Sequence, residues 1–218
     1  MSRDWARAPG WSEKDREEFD RHLRRARTEN RARYLRTKAM ALLESAEPHV
    51  RHEGRRLLRR IVEEYPNNVS ELAAAHELLG EAYAHERIFE EAEEHYRACR
   101  ALAPDNRSGS AGLFDLSLVE VVLDGEREDK YQEAFELLKG ARRHMSSSAW
   151  FDSQLFRYHR AAARLAERLG DRRAAALEAR AALKLARVRK PQPARHHDAE
   201  RVHADDVMLA ELQRLATG

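Results

Sequence analysis

Read as apolar and polar positions, the chain is a succession of helix-period segments with short polar breaks between them. Apolar residues recur three and four apart, the spacing that gathers them on one face of a helix. Near the start Phe19 and Leu23 share such a face, and Ser12 precedes Asp15 by three, a capping-box arrangement with the shorter acid. Residues 1–34 are expected to form an N-terminal capping segment that breaks near Asn30. From 35 to 189 the helical segments come in pairs, 35–66, 73–106, 113–145 and 156–189. Polar turns such as "HERI", and Gly170 with Asp171, divide the two helices of a pair. Beyond the helix-breaking "KPQP" at 190–193, residues 197–216 read as one amphipathic helix with Val207, Leu209, Leu212 and Leu215 on its apolar side. One segment departs from the amphipathic norm. "GLFDLSLVEVVL" is apolar nearly all round, as expected of a helix that is central or covered by a partner.

The pair at 73–106 places Leu79, Gly80 and Tyr83, then Ala92, Tyr96 and Pro104, at offsets with a physical sense. Gly80 and Ala92 are small where two helices cross, and the larger residues fill the space around that crossing. These offsets resemble the tetratricopeptide repeat, whose pattern is W-x2-L-G-x2-Y, A-x3-F, P, with His76 here in the Trp place. Ala163 and Ala175 take the small crossing places in the fourth pair. In the first pair Leu42 replaces the small residue and Gly54 takes the Ala place. The turn "DGERED" is long, which leaves the register of the third pair's first helix open.

The resemblance implies an all-α, right-handed α-solenoid of about four helix pairs, with capping helices in 1–34 and 190–218. It also implies a non-catalytic scaffold or adaptor that holds a partner peptide or helix in a concave groove lined by the first helix of each pair. Groove-facing positions in that family lie six and three before, and one and five after, the small crossing residue. Applied to the second pair, this gives Ala74, Glu77, Glu81 and His85; applied to the fourth, Arg157, Arg160, Arg164 and Arg168. With Leu42 as the crossing residue, the first pair contributes Arg36, Ala39, Leu43 and Glu47. The four arginines are a helical stripe that could hold carboxylates or phosphates of a partner through their forked donors. The competing reading is a solvated face with internal pairs to Glu167 or Asp152.

Charge changes this picture only a little. Residues 1–66 carry 17 Lys+Arg against 12 Asp+Glu, 67–140 carry 7 against 17, and 141–218 carry 16 against 9. The basic ends, as in "RHLRRARTENRARYLRTK", raise nucleic acid as a partner. Their spacing scatters them around several helices, so that reading stays secondary. Only 6 of the 40 basic residues are Lys, a usage typical of GC-rich genomes, so arginine abundance alone says little. Cys99 is the only cysteine, which excludes an intramolecular disulfide and a four-cysteine zinc site; a small buried hydrophobe is its expected role. Adjacent His196 and His197 point to different faces of a helix and, even with His203, do not read as a metal site. No phosphate-binding glycine loop, nucleophile elbow or metalloprotease spacing occurs, so neither an enzyme nor a cofactor is expected. The opening "MSRDWARAPGW" lacks a signal-like apolar stretch and no run reaches the length of a membrane span, so a cytoplasmic protein is expected. Self-association through the apolar helix at 113–123 is the alternative to a foreign partner.

Overall fold

The computed structural model describes residues 3–102, 113–145, 151–187 and 202–217. Pro104, the "KPQP" break, His196 and His197 lie outside the described residues. Among the described residues there are ten α-helices and no strand, and none of the helices is long and apolar enough to cross a membrane. The chain divides into two compact units, residues 1–114 and 115–218.

In the first unit, α1 (Glu13–Arg25) opens with the expected capping box: Asp15 N–H donates to Ser12 Oγ at 3.3 Å, and Ser12 N–H to Asp15 Oδ2 at 2.8 Å. Phe19 and Leu23 are buried, with Trp5 and Trp11 packed on the Phe19 ring. The chain breaks at Ala26 and Arg27, earlier than the expected Asn30, because Ala26 turns to extended backbone while its N–H closes on His22. Helix α2 (Thr28–Leu43) therefore begins seven residues before position 35. Lys38, on α2, is buried, and its ammonium donates to the carbonyls of Ala8 (2.6 Å) and Gly10 (2.9 Å). The same ammonium lies over the Trp11 ring, so one cation pins the N-terminal segment to α2. Burial pushes its pKa down and nearby Asp15 opposes that shift.

Helix α3 (Pro48–Glu64) starts on Pro48, whose fixed φ suits a first helical turn. Helices α4 (Val69–His85) and α5 (Phe89–Leu102) follow. The closest packing in the unit is within the pairs α2 with α3 and α4 with α5, while α4 also packs on both α3 and α2. Apolar stripes supply the core: Leu35, Ala39 and Leu42 of α2; Leu57, Leu58 and Ile61 of α3; Ala75 and Leu79 of α4; Ala92, Tyr96 and Cys99 of α5. Gly80 is needed as expected. A Cβ there would lie 2.8 Å from the Tyr96 ring.

In the second unit, α6 (Leu113–Asp124), which begins at the unit boundary, is the expected apolar helix. Its Leu116, Leu118, Val119, Val121, Val122 and Leu123 are all buried, as expected of a helix that is central or covered. Helices α7 (Tyr131–Met145), α8 (Asp152–Arg168) and α9 (Arg172–Ala186) follow, with α8 and α9 the most closely packed. Helix α10 (Asp206–Thr217) covers α9 and part of α8 with Leu212 and Leu215. The expected helix at 197–216 is thus shorter: residues 202–205 are not helical, and 197–201 fall outside the described residues. Val207 is 78% exposed, not part of the apolar side, because it sits in the first turn, out of phase with Leu212 and Leu215.

Three helix-to-helix turns repeat one geometry. Ile88 N–H bonds back to the Tyr83 carbonyl, Arg127 to Val122 and Asp171 to Ala166, each to the carbonyl five positions earlier. Each turn holds one residue at positive φ: Arg87 (61°), Glu126 (52°) and Gly170 (82°). This is the Schellman end of a helix, and glycine fits it without strain.

Candidate functional site

The repeated turn gives the helices a common reference. Gly80 lies seven residues before Arg87 and Ala163 seven before Gly170, and the residue seven before Glu126 is Val119, fully buried in α6. Its positions one and five further on are Glu120 and Asp124. In α2 both Ala39 and Leu42 meet Gly54 of α3, Leu42 with its Cβ 3.3 Å from where a Gly54 Cβ would lie, and Ala39 is the small residue of the two. Ala39 is fully buried, and a Cβ on Gly54 would lie 3.0 Å from its carbonyl oxygen. The expected groove residue Ala39 is therefore core. The same offsets counted from Ala39 give Arg33, Arg36, Met40 and Glu44.

Met40 and Glu44 open onto a pocket of about 380 Å³ in the first unit, together with Glu81 and His85. Leu43, Leu78 and Ala82 give it an apolar floor, with Arg51 and Glu86 at its α3 end. Met40 is 41% exposed, and its unbranched thioether adapts to irregular contacts. Arg55 and Arg51 both bridge to Glu86, and Arg55 also lies over the Tyr83 ring. Around the lip stand the carboxylates of Glu44, Glu81 and Glu86, of which Glu86 is already held by the two arginines and Glu44 is exposed. Of the residues anticipated for this face, Leu43, Glu81 and His85 line the pocket and Arg36 does not. Arg36 instead holds Glu71 of α4 through Nε at 2.6 Å and Nη2 at 3.3 Å. Glu47 is exposed at the start of α3, beside His49, and Glu77 is half-buried outside the pocket lining.

The four arginines of α8 meet a different fate. Arg157 Nε donates to Glu120 Oε1 at 3.1 Å and its Nη2 to Ser117 Oγ at 3.1 Å. Arg160 reaches Glu211 of α10 at 3.4 Å. Arg164 spans Asp124 at 2.7 Å and Glu211 at 3.1 Å, and Arg168 meets Glu126 at 3.0 Å. The stripe is a seam between α6, α8 and α10. Its paired acids are Glu120 and Asp124 of α6, Glu126 of the turn after it and Glu211 of α10, while Glu167 is held by Arg214 at 3.0 Å. That hydrogen bond keeps the Glu167 carboxyl below the usual range. The matching signal was present in α6: Ser117, Glu120 and Asp124 are polar at three- and four-residue steps in an apolar helix.

A second pocket, about 520 Å³, lies among α7, α8 and α9, where Phe135, Leu138, Leu165 and Leu169 form apolar walls. Cys99 is buried with its thiol toward the Ala73 carbonyl, and burial pushes its pKa up to about 12, which makes it unreactive packing. Between α4 and α5, His76 Nδ1 and His95 Nδ1 approach to 3.0 Å, a contact that sequence reading missed. Among the described residues no three His, Cys, Asp or Glu side chains are arranged to hold a metal ion. Compared with known proteins, the chain matches no family model, no curated protein and no solved structure.

Proposed function

We propose that this chain is a non-catalytic interaction module of the tetratricopeptide type, a right-handed solenoid of helix pairs acting as a cytoplasmic scaffold or adaptor. The observation that carries this reading is the pocket of about 380 Å³ on α2, α3 and α4. Four of its lining residues, Met40, Glu44, Glu81 and His85, stand at the positions where such repeats face a partner. The volume falls within the range of roughly 300–1,000 Å³ in which pockets hold ligand groups. The apolar floor accepts an aliphatic side chain, and the exposed carboxylate of Glu44 at the lip attracts a neighbouring cation. The partner is therefore a protein segment presenting an apolar residue beside lysine or arginine. The arginine seam is not where the ligand is placed, because its guanidinium groups already rest on carboxylates.

A phage-displayed library of random peptides, panned on the wild-type protein, tests this. Enrichment of segments pairing Leu, Ile or Met with Lys or Arg is expected, and it should disappear on Met40→Asp. Enrichment of acidic segments, unaffected by Met40→Asp, would refute it.

A further inference from the structure

We propose that His76 and His95 form a proton-controlled latch between α4 and α5, closed while one ring proton is shared between their Nδ1 atoms and opened when acid adds another. The geometry demands the single proton. Two Nδ1 atoms at 3.0 Å make a hydrogen bond only if one donates and the other accepts. One ring must therefore carry its proton on Nδ1, and the other must leave Nδ1 bare. Protonating the acceptor ring places two N–H groups and at least one full positive charge face to face, so the bond becomes a repulsion.

The rings have little freedom to escape. Tyr83 stacks on His95 with centroids 5.5 Å apart and planes 14° from parallel. The Tyr83 oxygen in turn accepts from Arg59 of α3, and the Arg55 guanidinium lies over the same ring. The charged groups around the pair act in both directions. From α3, Arg59 disfavours the charged form of His95; from α5, Glu91 and Glu94 favour it. Glu94 acts likewise on His76. Burial is the largest influence on both rings and holds their pKa values below the ordinary one. The folded state thus binds fewer protons than the unfolded chain as pH falls through the usual histidine range. Stability is full above that range and is lost on acidification.

The consequence for binding rests on the proposed function, because α4 also carries Leu78, Glu81, Ala82 and His85 of the pocket. The latch itself does not depend on it. Nitrogen-15 NMR of the imidazoles near pH 7.5 reads the latch directly. One of the two rings is expected in the rarer Nδ1-H tautomer, with both titrating below a free histidine. The melting temperature of the wild type should drop roughly 5 °C more than that of His76→Gln/His95→Gln between about pH 7.5 and 5.5. Glutamine keeps a donor and an acceptor at each place but does not titrate. Two Nε2-H rings, or equal drops in both proteins, would overturn the latch. So would a rise in the wild-type melting temperature on adding one equivalent of Zn²⁺, which would assign the pair to a metal. A latch seen by NMR while peptide selection fails would leave this inference standing and remove only the binding role.

Discussion

Helices α4 and α8 carry charge at corresponding places of their pairs, yet their surroundings put that charge to different uses. On α8 four guanidinium groups end on carboxylates from α6, the turn after it, and α10, and Arg160 and Arg164 keep only 19% and 15% of their side-chain surface exposed. On α4, Glu81 and His85 open onto a pocket floored by Leu43, Leu78 and Ala82. Helical spacing tells which residues share a face. Whether that face is already occupied depends on what the neighbouring helix places opposite it.

The strongest way to break this contrast is to reverse the seam. In Arg160→Glu/Arg164→Glu, two new carboxylates face Asp124 and Glu211 in a partly desolvated site. We expect a loss of about 3 kcal/mol in urea unfolding. Unchanged stability would mean that the stripe is only a wet face. A smaller effect separates the repeated turns, where one unit has Gly170 at φ 82° and the other Arg87 at φ 61°. Gly170→Ala should cost about 1 kcal/mol, since a β-carbon is disfavoured there even with open space around it. Arg87→Gly should raise stability by only about 0.5 kcal/mol, relief of strain being offset by the freedom glycine has when unfolded. The smallest effect belongs to the pocket lip: Glu44→Lys should move stability by less than about 0.5 kcal/mol, as for an exposed residue outside the core.

Much of the fold was legible because its causes are local. Helical periods, the Ser12 and Asp15 cap, and Gly80 beside Tyr96 all act over a few turns or one helix pair. Misreadings arose where one turn of phase decided the outcome. Ala39, expected in the groove, is core because α3 packs on it as well as on Leu42 through Gly54, and counting from Ala39 turns the site to Met40 and Glu44. Val207 is exposed because, five residues before Leu212, it points to a different side of α10. The seam was half legible. The arginine spacing was visible, but its acids lie 37 to 51 residues away, beyond any local rule. The histidine contact had no signal of its own, since His76 occupied the place of a tryptophan and His95 only an ordinary helix position.

The central claim is that the pocket on α2, α3 and α4 receives a partner and the arginine seam does not. One peptide enriched by display, titrated calorimetrically into three proteins, tests it most directly. Met40→Asp/Glu44→Lys should weaken binding by about tenfold or more, roughly 1.4 kcal/mol. Arg168→Gln, at the exposed end of the seam, should bind as the wild type does. Wild-type affinity in Met40→Asp/Glu44→Lys, with binding lost in Arg168→Gln, would contradict the account.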